Sequence, residues 1–207
     1  MNALLAPFAS GRLALGGSRH LPPAGYRLAG ELACAVVGSG HALVCGCSVG
    51  ADQAALVAVA GSPLLSVRAA FGPVSPPWPG SRVTAPGACA LSAVAAVALA
   101  LHAGSSVRWW CGGGPGVPLA ARLAARTRSV AHAASAGALV VLSSPYSRGS
   151  LLLARGAASR GLPVVAVCCG FGVEHLAPLG VGAWSALVPP VAQTCAAVWC
   201  AGPELAL

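Results

Sequence analysis

The sequence has no lysine and only four acidic residues: Glu31, Asp52, Glu174 and Glu204. Chemistry that builds positive charge on a sugar generally uses a carboxylate to stabilise that charge or to activate water. With so few acids, little is left to do such work. Charged residues of both signs make up 8% of the 207 residues and hydrophobic ones 57%. A chain of this size and composition is expected to bury most of its segments in one sizeable core.

Metal-binding patterns are also missing. Among nine cysteines there is no CxxC pair, the count is odd, and the usual zinc spacings do not occur. Cys34, Cys45, Cys168 and Cys169 sit in apolar runs, where free cysteine behaves as a small hydrophobe. "CGC" at 45–47 and "CC" at 168–169 would have to meet in space to hold an ion, and no metal is expected. The five histidines are scattered and do not pair at helical spacing.

No membrane-spanning run is present. The best candidate, "ACALSAVAAVALAL" at 88–101, has fourteen residues, and a span needs about 20. It reads as a buried helix. The opening "MNALLAPFASGRLAL" lacks a basic start, and Pro7 breaks its apolar run. No secretory leader is expected, and the location expected is cytoplasmic.

Twelve arginines supply all the side-chain basic charge of lysine and arginine type, for a formal net charge of +8. A basic balance favours nucleotides, nucleic acid or acidic surfaces as partners. It equally serves to keep an apolar protein in solution, and the apolar composition points to self-association.

Along the chain, strand-like and helix-like segments alternate. "RLALGG" (12–17) and "HALVC" (41–45) read as strands, with a helix between them that starts near Pro22 or Pro23 and shows one face at Leu28, Leu32 and Val36. A short helix at 52–60 leads to a strand within 63–71. Five prolines within 72–87 mark a loop. The alanine-rich helix follows at about 88–103, then an edge-like segment, "SVRWW" (106–110), and the turn "CGGGPG". A helix over 118–134, the strand "GALVVLS" (137–143), a helix over 149–160 and the strand "PVVAVCC" (163–169) complete the regular part. In the tail, "AWSALVP" (183–189) reads as a last strand.

This alternation predicts an α/β fold, a Rossmann-like three-layer sandwich with a mostly parallel sheet and helices on both faces. A single domain is expected over 10–172, with 173–207 as an extension packed on it.

In such a sheet, ligands bind beyond the carboxyl ends of the strands. Three strand-to-helix loops should meet there: "GGSRH" (16–20), "GCSVGAD" (46–52) and "SSPYSRGS" (143–150). Glycine lets the backbone approach a ligand, serine adds hydroxyl donors, and helix N-termini present free N–H groups. Each loop alone is an ordinary turn signal. Three at one edge make a phosphate-binding rim.

Asp52 has three readings. It can stabilise the first turn of its helix, receive a ribose hydroxyl, or order the glycine turn. Arg122 and Arg126 share a helix face while Arg128 points elsewhere, as on a solvated basic face or an anion-binding one. In "RWW" (108–110), an arginine beside two tryptophans can stack a base or anchor an edge strand.

The four segments "GGSRH", "GCSVGAD", "RLAARTRSV" and "RGSLLLARGAASRGLPVVAV" occur in the order found in the SLOG superfamily. That group includes the DNA-processing protein A (DprA) family and the Lonely Guy phosphoribohydrolases. The resemblance covers about residues 12–170.

It implies a Rossmann-like pocket for single-stranded DNA backbone or a nucleotide. A first glycine loop falls at Gly17, Ser18 and Arg19, and a second at Gly46, Gly50 and Asp52, with Cys45 in place of serine. An "RNR"-like segment falls at Arg126 and Arg128, and a helix start at Gly149 and Ser150, next to Ser147. The hydrolase pattern would put its catalytic glutamate at Leu153. The resemblance therefore implies a non-catalytic binding module without a cofactor. The alternatives are a Lonely Guy-like nucleotide phosphoribohydrolase and a nucleotide-sensing regulator of a partner protein.

Overall fold

The structure is a computed structural model and describes residues 1–70, 91–109, 117–191 and 194–202. The proline-rich loop and the "CGGGPG" turn lie outside the described residues. The elements run α1 (Asn2–Leu5), β1 (Arg12–Gly17), α2 (Pro23–Gly38), β2 (Ala42–Cys45), α3 (Ala51–Ala58) and β3 (Leu65–Ala69). They continue α4 (Leu91–His102), β4 (Ser106–Trp109), α5 (Leu119–Ala133), β5 (Gly137–Leu142), α6 (Arg148–Ala158) and β6 (Val164–Cys169). A 3-10 turn at Val173–His175 leads to β7 (Gly182–Val191) and β8 (Thr194–Ala201).

Among the described residues all strands join one eight-stranded sheet in the order β4-β3-β2-β1-β5-β6-β8-β7. The pairings among β1 to β6 are parallel, and β8 is antiparallel to both of its neighbours. From β1 the chain steps outward to β2, β3 and β4, then returns to place β5 on the other flank of β1. The order therefore reverses between β1 and β5, which is where an open α/β sheet forms its crevice.

Alternation along the strands builds two hydrophobic clusters. Leu13 and Leu15 of β1, Leu43 and Cys45 of β2, and Leu139 and Val141 of β5 join residues of α2, α3 and α4. The intervening Ala14, Val44, Ala138 and Val140 join residues of α5 and α6. β5 and β6 are buried at every position, as expected of strands whose two sides are both covered.

The tail corrects the reading of a single last strand. β7 is longer than expected, and β8, "TCAAVWCA", returns along β6. Small residues mixed with cysteine carry little strand signal. β7 includes Pro189 and Pro190 and is the outermost strand of the sheet, where a missing N–H is tolerated. Trp184 and Trp199 meet edge to face at 5.4 Å, and the Trp184 Nε1–H donates to the Ala177 carbonyl at 3.0 Å. The two cysteine pairs do not meet, because β1 and β5 stand between β2 and β6.

Among the described residues no helix is long and apolar enough to cross a membrane, and no group of three His, Cys, Asp or Glu is placed to hold a metal.

Burial, then the nearby Asp52, pushes the Cys45 thiol well above its ordinary 9.0, and burial raises Cys168 and Cys169 as well. These thiols stay neutral in the fold while those of the unfolded chain ionise. Their contribution is complete below about pH 8.5 and is lost as pH rises towards the folded values. Urea unfolding should therefore show stability falling above about pH 9, by up to about 1.4 kcal/mol per pH unit for each thiol. Cys168→Ala should make that decline shallower, and an unchanged pH slope would contradict the assignment.

Candidate functional site

The three glycine-serine loops converge at the reversal point. β1 ends on Gly16 and Gly17. A Cβ on Gly17 would run into the Val141 carbonyl, so β1 and β5 approach as only glycine permits. The Ser18 N–H donates to the Val141 carbonyl at 2.8 Å, the Ser143 N–H donates to Ser18 Oγ at 3.0 Å, and Ser143 Oγ donates to the His20 carbonyl at 2.7 Å. These bonds lock the first loop to the third.

The second loop lies on the first through Gly50. It sits at φ +84° at the start of α3, and a Cβ there would collide with the carbonyls of Ser18 and Arg19.

Asp52 stands in the first turn of α3 and is 7% exposed. Its Oδ2 accepts from the Ser48 N–H at 3.1 Å and from Arg126 Nη1 at 2.9 Å, while Arg126 Nη2 donates to Ser48 Oγ at 2.7 Å. Besides standing in the first turn of its helix, Asp52 orders its own glycine turn through a buried ion pair with α5. Gly46 makes room for that pair, because a Cβ there would overlap the Arg126 guanidinium. Burial disfavours the charge on Arg126, but Cys47 and Asp52 more than offset it, so its pKa stands above the ordinary arginine value.

Over this floor lies a cleft of about 320 Å³. Gly16, Gly17 and Arg19 line one side, Gly46, Ser48, Asp52 and Arg126 the floor, and Arg148, Gly149 and Ser150 the start of α6. Leu123 and Leu153 form an apolar wall. A second recess continues from it between Ser18–His20 and Ser143–Ser150. Ser147 Oγ and Ser150 Oγ are 2.8 Å apart there.

Of the expected residues, Gly17, Arg19, Gly46, Asp52, Arg126, Gly149 and Ser150 line the cleft, and Ser18 and Ser147 line its continuation. Gly50 supports the loop from behind. Arg128 is elsewhere, on the exposed side of α5 near Arg160. Arg122 is buried, as is Arg126, so this face of α5 is not a solvated one.

Glu174 does not reach the cleft. Its carboxylate is exposed and lies 3.4 Å from His175 Nε2. Residue-by-residue reading missed Ser48 and Arg148, although each lies inside a loop already singled out.

The sheet order and the site at its reversal define a Rossmann-like α/β fold. That fold is similar to the solved structure of DNA processing protein A from Helicobacter pylori, a protein with a single-stranded DNA binding mode of its own. The TM-score is 0.53 at 17% sequence identity, over 79% of this chain and 66% of that one. No protein-family model matches the sequence, and neither does any curated protein.

Removing one partner of a buried ion pair strands the other. Asp52→Ala should destabilise the protein by about 3–5 kcal/mol. The double variant Asp52→Ala/Arg126→Met should recover much of that loss, since it removes both charges. Urea denaturation of the two singles and the double checks this. Strictly additive losses would mean that the pair is not coupled.

Proposed function

We propose that the chain is a non-catalytic binding module that holds the phosphate backbone of single-stranded DNA, or a nucleotide phosphate, in the cleft where β1 meets β5. The observation that carries this reading is the state of Asp52. Its charge is already taken by Arg126, so the rim is left with Arg19, Arg148, serine hydroxyls and the free N–H groups that open α6. Such a rim suits an anion. Gly149, where a Cβ would meet nothing within 4 Å, leaves the main chain at the start of α6 open to a phosphate.

A hydrolytic reading is disfavoured by the wall of the same cleft. Leu153 stands where the phosphoribohydrolase pattern has its glutamate, and it can neither carry charge nor take a proton. The fold likeness to a single-stranded DNA-binding protein supports DNA over a mononucleotide.

Membership of the SLOG superfamily, a cytoplasmic location and self-association belong to the same proposal. So does the division into a Rossmann-like domain at 10–172 and an extension at 173–207. The two hydrophobic clusters support a three-layer sandwich with helices on both faces of the sheet.

Arg126 is a structural residue, so the electrostatic test falls on Arg19 and Arg148. Fluorescence anisotropy with a labelled oligothymidylate should show affinity falling steeply with salt. Arg19→Gln and Arg148→Gln should each weaken binding at low salt by about tenfold and reduce the salt slope by about 0.7. Binding that ignores salt, or no binding to any oligonucleotide, would rule out the DNA reading.

A further inference from the structure

The loop between β5 and α6 is tied down on both sides and yet sends one large ring into solvent. Ser143 is fastened to the first loop through its N–H, which donates to Ser18 Oγ, and through its Oγ, which donates to the His20 carbonyl. Ser144 closes the next turn. Its Oγ accepts from the Tyr146 N–H at 3.2 Å, and its carbonyl accepts from the Ser147 N–H at 3.4 Å. Ser147 then meets Ser150 at the entry to α6. The backbone that carries Tyr146 is therefore anchored before and after it.

Tyr146 itself is 85% exposed. The other described phenylalanine, tyrosine and tryptophan side chains with a stated environment are in the core or against it. Phe8 and Trp199 are buried, and Tyr26, Phe171 and Trp184 pack on the two hydrophobic clusters. An aromatic ring is among the largest apolar contributions a side chain can make to a core. The ring of Tyr146 makes none.

Its place in the fold is specific. Tyr146 lines the recess that continues the cleft, together with Ser18, Arg19, Arg148 and Gly149. Gly149 is three positions further along the chain, a reach of at most about 11 Å. The ring and the phosphate rim thus border one space. In a nucleotide the base projects from the sugar, away from the phosphate. A strand whose phosphate lies at the start of α6 has a base to place beside it. Aromatic side chains next to a basic groove are what sequence-tolerant single-strand sites use to hold bases.

We propose that Tyr146 is a stacking platform for a base of the single strand whose backbone occupies the cleft. The ligand is then a base-bearing strand, and a bare sugar-phosphate chain leaves the ring unused. Every base has an aromatic face, so Tyr146 adds affinity without choosing among bases. This inference rests on the single-stranded DNA reading and deepens it by assigning a base contact separate from the phosphate contacts.

The test compares an oligothymidylate with an abasic deoxyribose-phosphate oligomer of the same length, each competing against a labelled oligothymidylate at low salt. The unaltered protein should prefer the oligothymidylate by about tenfold, the scale of one stacked base. Tyr146→Ala should bind the oligothymidylate about tenfold more weakly and the abasic oligomer as before. Its salt slope should not change, because no charge is lost. Tyr146→Phe keeps the ring and should bind both as the unaltered protein does. Arg148→Gln should weaken both ligands alike.

Equal affinity of the unaltered protein for the two ligands would overturn the proposal and leave the cleft reading standing. So would a Tyr146→Ala protein, folded by circular dichroism, that keeps the full preference. Equal losses for both ligands in that variant would also overturn it, since the tyrosine would then only shape the loop. If the unaltered protein binds neither ligand, the single-stranded DNA reading fails and this one falls with it.

Discussion

The buried pair between Asp52 and Arg126 is the interaction on which the rest of the site depends. Their side chains are 9% and 6% exposed, and the two residues are 74 positions apart in sequence. Taking both charges out of water offers little net stability, because desolvation offsets most of the attraction. What it does is specify position. Arg126 can meet Asp52 and Ser48 only if α5 crosses the sheet over Gly46, and a Cβ on Gly46 would block that approach. One helix, one turn and one glycine are thus fixed relative to each other, and the floor of the cleft follows.

Around that floor the loops hold one another rather than relying on capping side chains. Gly50 rests on the first loop, Ser18 and Ser143 join the first to the third, and Ser147 faces Ser150 at the entry to α6. None of α2, α3, α5 or α6 has a side-chain cap bond at its N-terminus. The N–H groups that open α6 therefore have no side-chain competitor. With Asp52 neutralised by Arg126, the local field at the rim comes from the helix start and from Arg19 and Arg148.

The final hairpin closes one side of the sheet. Without β8, the fully buried β6 would present an open edge, which invites pairing with other chains. β8 covers it, and β7 then ends the sheet with a proline-bearing edge strand. Trp184 and Trp199 are register partners, and their perpendicular contact ties the two strands of the hairpin together.

Much of this architecture was legible in the sequence, because its signals are local. The apolar runs at 12–17, 42–45, 137–142 and 164–169 are strands, and the helical spacing of Leu28, Leu32 and Val36 marks a real helix. The glycine-serine loops fell where strands hand over to helices, so their place at one edge followed from fold class, while their meeting came from the order β2-β1-β5. β8 escaped because alanine and cysteine have no strong strand preference, and its place was decided by the free edge of β6. The family resemblance put Arg128 beside Arg126, while helical spacing turned it to a different face, and it lies near Arg160.

The sequence by itself determined the alternation of strands and helices, the glycine turns and the scarcity of acid, all properties of neighbouring residues. Which arginine would meet the one buried aspartate was decided only by the tertiary structure. That choice depends on the order of strands in the sheet and on where α5 crosses it, and no local spacing records either.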